Sequence, residues 1–251
     1  MTSARHREVR GVFDRTGSYL ENDAPIDVRA RAVRDMLGPL EGSRILDVGC
    51  GDGRISLQYL SASNSITLLD VSPRMLEVAA SRVPPELVAR TERVNAGLED
   101  YAAATPFDVV LCIGVLAHVA SVPVAVRRAA ELTAPGGACV FQLTDRSRAL
   151  GRLHDAVADL RLRLAVTARR YAMNRVRLDE VLALAAERGL APVDSKRYWG
   201  TFPGMGLLPR ELGRRLIELT YRRPFLSRRG AEVLVLFRKD GAPGSPSLTP
   251  L

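Results

Sequence analysis

The segment ILDVGCGDGR constrains this chain most. Its apolar run from Ile45 closes on Asp47 and then meets glycine at every second position, Gly49, Gly51 and Gly53. The apolar residues read as a buried strand. The glycines read as a tight turn in which φ can become positive and a ligand can approach without meeting a Cβ. Apolar residues return after Arg54, so the turn is expected to open a helix over about residues 55–61 whose free N–H groups face the ligand. A second apolar run, SITLLD, ends on another acid, Asp70, where a strand-end carboxylate can accept hydrogen bonds from both hydroxyls of a ribose. Such a pair of runs implies a nucleotide-type site at the C-terminal edge of a parallel sheet.

Strand and helix patterns alternate on either side of this turn. Strands are expected over Arg44–Val48, Ser65–Asp70, residues 91–96, Phe107–Ile113 and residues 138–143. FDVVLCI, the fourth, is almost continuously apolar, as a strand buried on both faces should be. Ser72-Pro73 is a helix start for residues 73–82, and Val122–Leu132 is a further helix. The alternation implies a doubly wound parallel sheet with right-handed crossovers. Residues 1–42 read as two helices broken at residues 22–25, with Pro25 placed to begin the second. Beyond Thr144 come leucines and alanines at helical spacing among arginines, then a helix over residues 178–188 stopped by Gly189. Two last strands follow, at residues 192–198 and 232–237, and the Gly/Pro/Ser-rich tail, residues 241–251, is expected to be disordered.

The spacing of the turn narrows the ligand. A dinucleotide-binding turn is G-x-G-x-x-G, whereas this one is D-x-G-x-G-x-G. With Asp70 closing the next strand, the chain resembles the class I S-adenosylmethionine-dependent methyltransferases over about residues 43–143, and more loosely to residue 193. The resemblance implies a Rossmann-like, doubly wound, seven-stranded sheet whose last strand is antiparallel, carrying an N-terminal helical lid (1–42) and a helical and loop cap. The methyltransferase domain would span 43–240, with cap insertions at 146–177 and 199–230. S-adenosylmethionine is the implied cofactor. Asp47 would fix the turn or reach the methionine amino group, and the backbone of Gly49, Cys50, Gly51 and Gly53 would lie against methionine and ribose. Asp70 would take the ribose diol. Val71, Gly97 and Leu98 would hold the adenine, although this chain has Gly97 where relatives often carry an aspartate. Ile113 and Gly114 would cover the methionine end.

Residues near the transferred methyl group are less sharply marked. His118 follows the fourth strand and is a candidate general base, with packing as its alternative role. His154 lies in the arginine-rich stretch and His6 near the start. Tyr19, Tyr198, Trp199 and Phe202 are candidate substrate contacts, with core filling as the other reading. Phe13, Arg15 and Tyr19 suit either a lid over the cofactor or a packed N-terminal helix, and this segment resembles the opening of magnesium-protoporphyrin O-methyltransferases.

Composition bounds the rest. With 47% apolar and 25% charged residues the chain is an ordinary globular one, and its three cysteines, odd in number and far apart, read as reduced core residues and not as a metal site. No signal-like or membrane-spanning run is present, which leads us to expect a cytoplasmic protein. Residues 1–145 hold fifteen arginines against eighteen carboxylates, net −3, and residues 146–251 hold twenty-one basic against ten acidic residues, net +11. Arginine bias explains part of this, because only Lys196 and Lys239 are lysines. A basic face for an anionic partner is the sharper reading. The expected function is methylation of a small-molecule acceptor, anionic or aromatic, most simply O-methylation of a bacterial secondary metabolite; a homodimer fits as well as a monomer. An RNA methyltransferase and a non-catalytic cofactor-binding scaffold are the alternatives, and the former lacks an Asn-Pro-Pro-aromatic motif after the fourth strand.

Overall fold

The computed structural model describes residues 4–14, 23–145, 156, 173, 174, 176–199 and 210–241. Arg15, Tyr19, His154, Phe202, residues 241–251 beyond the first, and most of both expected cap insertions lie outside them. Helices α1 (Ala4–Phe13) and α2 (Asp23–Leu37) precede the sheet. Then follow β1 (Arg44–Val48), β2 (Ser65–Asp70), α3 (Pro73–Ala80), β3 (Thr91–Asn95), β4 (Phe107–Ile113), α4 (Val122–Leu132) and β5 (Thr133–Thr144). The chain continues through α5 (Leu178–Ala186), β6 (Leu190–Tyr198), α6 (Arg210–Arg222), α7 (Pro224–Ser227) and β7 (Glu232–Lys239).

Seven strands form one sheet in the order β3-β2-β1-β4-β5-β7-β6. β1 to β5 pair in parallel, and β7 runs antiparallel between β5 and β6. This is the Rossmann-like architecture that the sequence implies. The order reverses between β1 and β4, and at such a switch point the loops leaving the two strands diverge and open a crevice. Successive residues of each strand bury against opposite layers. Leu46, Val48, Val110, Cys112 and Phe141 pack on the α4–α5 side, while Ile45, Ile66, Val109, Leu111 and Val140 pack on the α2 side with Ile217 of α6. All three cysteines are buried and free.

Besides shifts of one or two residues at the ends of α2, β3, α5, β6 and β7, three boundaries differ from those expected from the sequence. The glycine turn opens no α-helix: residues 51–56 are turns and only Leu57–Tyr59 make a short 3-10 turn. Gly53 sits at φ +76°, Ile55 is β-branched, and the Ser/Asn run at 61–64 ends the segment, with Asn64 donating to the carbonyls of Tyr59 and Leu40 (2.8 and 2.9 Å). α3 stops at Ala80, two residues short. β5 begins at Thr133, directly after α4, because Thr133 pairs with Phe107 across a register shift. The Ser72-Pro73 start holds, with Ser72 accepting from the Met75 N–H at 3.1 Å, and Ser121 likewise accepts from the Val124 N–H at 3.5 Å ahead of α4.

Candidate active site

The crevice is built first from main chain. Gly49, Gly51 and Gly53 have φ of +63°, +54° and +76°, a region in which a Cβ is strained. The Gly49 and Cys50 N–H groups both donate to the Leu69 carbonyl, at 2.8 and 3.1 Å, which binds the turn to the end of β2. Asp70 completes the tie. Its Oδ2 accepts from the Gly51 N–H at 2.9 Å, its Oδ1 accepts from the Ser72 N–H at 2.8 Å, and Asn95 Nδ2 donates to its carbonyl oxygen at 2.9 Å. The loop after β4 closes the other wall, where a Cβ on Gly49 would lie 3.0 Å from Val115 Cγ2.

Three carboxylates converge on this turn. Asp52 is paired with Arg54 and Arg82. Asp47 is 2% exposed, and its Oδ2 has no hydrogen-bond partner among the described residues. Burial pushes its pKa from 3.8 up to about 7; the Ser56 hydroxyl opposes that rise, and the charges of Asp70 and Asp52 add to it. Asp70 is also raised by burial, against the pull of the Ser72 and Gly51 N–H groups. Burial and the neighbouring Asp47 raise the Cys50 thiol, so it is not a reactive nucleophile.

A cleft of about 420 Å³ opens beside Asp70, lined by His6, Arg10, Val71, Asn95, Ala96, Gly97 and Asp100. Leu98, next in sequence to Gly97, is buried in the core. The His6 ring fills the space over Gly97, where a Cβ would come 2.1 Å from its Cε1. It stands 3.2 Å from Glu99 Oε2 and 3.4 Å from Asp100 Oδ2. A side chain at position 97 would therefore displace His6.

α1 crosses the same edge. Arg5 donates to the carbonyls of His118 and Ala117 (3.0 and 3.3 Å), Phe13 meets the His118 ring edge-on at 5.4 Å, and Ser72 donates to Asp14 at 2.6 Å. Burial, then the charges of Arg5 and Arg29, lower the His118 pKa to about 4, so its ring is neutral at neutral pH.

Beyond Gly114 (φ +75°) lies a second polar group that the sequence reading did not assemble. It joins Arg29 of α2, Gln142 of β5, Tyr198 of β6 and Glu232 of β7, far apart in sequence. The one cue was Gln142 itself, a polar residue inside an apolar strand. Tyr198 is fully buried and accepts a hydrogen bond from Arg29 Nε at 3.0 Å; burial raises its pKa to about 12. It therefore has no open surface for a ligand, because its ring belongs to the core on the α2 side. Trp199 is half-buried, and its indole N–H donates to the Leu226 carbonyl at 2.9 Å, which ties β6 to α7. Among the described residues no cluster of His, Cys, Asp or Glu could hold a metal ion, and no helix is long and apolar enough to cross a membrane.

A seven-stranded sheet with this strand order and a D-x-G-x-G-x-G turn at its switch point defines a methyltransferase domain, and the family model of that description matches residues 46–139. The chain belongs to the class I S-adenosylmethionine-dependent methyltransferases. It is 32% identical over 158 residues to the ubiquinone biosynthesis O-methyltransferase of Thiobacillus denitrificans, covering 62% of this chain and 68% of that one. It is 29% identical over 165 residues to the mitochondrial enzyme of the same name from Schizosaccharomyces pombe, covering 65% of this chain and 60% of that one. The chain thus spans 60% and 68% of the length of these two relatives. Among solved structures, an S-adenosylmethionine-dependent methyltransferase of Thermotoga maritima has a TM-score of 0.62 at 16% identity, covering 92% of this chain and 99% of that one. Magnesium protoporphyrin IX methyltransferase from Synechocystis PCC 6803, with bound S-adenosylhomocysteine, has a TM-score of 0.62 at 14% identity, covering 94% and 100%. At these identities both bear on the fold.

Proposed function

We propose that this chain transfers the methyl group of S-adenosylmethionine to a hydroxyl of a small molecule. The observation that carries the donor half is Asp70, a buried carboxylate whose two oxygens are each held by one backbone N–H at the mouth of the switch-point crevice. Each carboxylate oxygen has a second lone-pair site, so Asp70 retains acceptors for a ribose diol. The unpartnered Oδ2 of Asp47 fits the donor's ammonium group, which would satisfy a buried acceptor and favour its ionised form. Gly49, Cys50, Gly51 and Gly53 let main chain lie against methionine and ribose, Val71 and Gly97 flank the adenine with Leu98 as its floor, and Ile113 and Gly114 border the methionine end.

When bound, the cofactor supplies a methyl group on a positively charged sulfur, an activated donor with a neutral leaving group. What is left to the protein is mostly alignment and exclusion of water. His118, with a pKa near 4, is a weak proton acceptor, and we assign it to packing under Phe13 and to anchoring Arg5 through its carbonyl. α1 then acts as a lid, fastened at His6, Arg5 and Asp14. Tyr198 acts on the acceptor only through Arg29, and Trp199 through the placement of α7.

The relatives are named ubiquinone biosynthesis O-methyltransferases, which supports O-methylation of a small molecule. The test begins with calorimetry using S-adenosylhomocysteine, followed by transfer of a labelled methyl group to a panel of hydroxylated metabolites. Micromolar binding and label on an oxygen are expected. Absence of binding, or label only on RNA, overturns the proposal.

A further inference from the structure

The polar group beyond Gly114 has an unfinished hydrogen-bond pattern. Gln142 is 2% exposed, its Nε2 donates to Glu232 Oε2, and Thr144 Oγ1 donates to Glu232 Oε1 at 2.7 Å. Glu232 thereby fixes the amide with its nitrogen toward β7 and its oxygen turned away. That oxygen, Oε1, has no hydrogen-bond partner among the described residues. Leaving a buried carbonyl without a donor costs on the order of 1–3 kcal/mol, so such an atom in a site is a place for a ligand's O–H or N–H.

Its direction is defined by Gly114. A Cβ built there would lie 3.4 Å from Gln142 Oε1 and 3.2 Å from Arg29 Nη1, so a hydrogen-bond acceptor and a guanidinium flank one small space that only glycine leaves open. Tyr198 accepts from Arg29 Nε and holds the guanidinium in place. On the reading of methyl transfer given above, this space adjoins the methionine end of the crevice. We infer that Gln142 Oε1 and Arg29 form the acceptor subsite, and that it takes a small hydroxylated anion: the hydroxyl donates to Gln142, and the anionic group lies toward Arg29. Glu232, Thr144 and Tyr198 are positioning residues for this pair. A negatively charged acceptor also agrees with the net +11 of residues 146–251.

The inference rests on the methyl-transfer reading, and ligands that differ by one group separate the two. With S-adenosylhomocysteine bound, calorimetry compares 3-hydroxybenzoate, benzoate, which lacks the hydroxyl, and phenol, which lacks the anion. Wild type should prefer 3-hydroxybenzoate to either by about tenfold. Gln142→Leu should weaken 3-hydroxybenzoate about tenfold and leave benzoate within twofold. Arg29→Met should weaken both acids about tenfold and leave phenol within twofold. Gln142→Met, closer in shape, repeats the first arm should the leucine variant fail to fold, and an S-adenosylhomocysteine affinity within twofold of wild type reports an intact site. Equal losses for benzoate and 3-hydroxybenzoate in Gln142→Leu, or no binding of 3-hydroxybenzoate at millimolar concentration, overturn the subsite. A tenfold loss of S-adenosylhomocysteine binding in Arg29→Met overturns it too, by giving the guanidinium to the donor. Failure of the wild type to bind S-adenosylhomocysteine overturns the methyl-transfer reading instead.

Discussion

The two halves of the sheet build their sites in different ways. On the β1–β2–β3 side the site is main chain fastened by one acid: a glycine turn, the Leu69 carbonyl and the Asp70 carboxylate, all within residues 47–72. On the β5–β7–β6 side it is side chain fastened by side chain, from Arg29, Gln142, Tyr198 and Glu232, across more than two hundred residues. A main-chain site recognises what every donor molecule shares, because backbone N–H and C=O groups are the same in any sequence. A side-chain site can change with its acceptor while the sheet remains the same. The donor half should therefore fail through a few residues, and the acceptor half by degrees.

The largest effect is expected at Asp70. Asp70→Ala removes a charged partner from the Gly51 and Ser72 N–H groups, each such bond worth about 1.5–3 kcal/mol, and, on the function proposed above, the ribose acceptor as well. S-adenosylhomocysteine binding should fall at least a hundredfold by calorimetry. A loss below tenfold would mean that the donor half does not hang on a single acid.

Asp47 gives the donor half a pH signature. Its folded-state pKa, about 7, lies above the unfolded value of 3.8. Its contribution to the stability of the ligand-free protein is therefore fully present below pH 3.8 and is lost as pH rises through about 7. Thermal melts from pH 4 to 8 should show this as a decline in wild type relative to Asp47→Asn. Ligand binding has the opposite slope, since an ammonium group needs the ionised acid. S-adenosylhomocysteine affinity should rise about tenfold from pH 5.5 to 7 in wild type and stay flat in Asp47→Asn. The same rise in the variant would remove Asp47 from ammonium binding.

Gly114 sits where the halves meet, so it should separate them. Gly114→Ala strains a residue at φ +75° and brings its Cβ to 3.2 Å from Arg29. Gly136→Ala imposes similar strain at φ +74° with nothing within 4 Å, which makes it the control. Both should lower Tm by about 2–6 °C, from roughly 1–2 kcal/mol of strain. Only Gly114→Ala should weaken 3-hydroxybenzoate, about fivefold, with S-adenosylhomocysteine affinity within threefold. Equal effects of the two substitutions on 3-hydroxybenzoate would show that Gly114 borders no acceptor.

What the sequence made legible follows the same division. β1, β2, β4 and α4 lie at their expected bounds because apolar runs between turn residues determine them locally. The turn and Asp70 were equally local. The missing helix after Gly53 was not, because six apolar-patterned residues also fit a 3-10 turn held by Asn64, and periodicity over one turn cannot separate the two. The place of Tyr198 between the last strands suits a ligand contact or core filling equally; the face a strand residue presents depends on its partner, and beside Glu232 its ring lies in the core. Arg29 was one arginine among many. Its neighbours Gln142 and Tyr198 are set by the strand order, which no single segment states.

His118 offers the smallest effect and the sharpest check on the view that alignment, and no general base, drives the reaction. Its pKa, lowered to about 4 by burial and then by Arg5 and Arg29, makes it neutral above pH 5 and a poor proton acceptor. The linkage has the sign of a depressed histidine: the neutral ring's contribution to stability is present above pH 6.5 and is lost as pH falls through about 4. His118→Phe keeps a ring against Phe13 and removes that titration, so the variant should melt higher than wild type relative to their difference at pH 7 once both are at pH 4.5. With an acceptor identified by the labelled-methyl screen, kcat of His118→Phe should stay within threefold of wild type, with an unchanged pH profile. General bases contribute about a hundredfold or more, so a hundredfold loss of kcat with KM preserved would restore His118 as the base. It would also move part of the catalysis to the seam between the donor and acceptor halves.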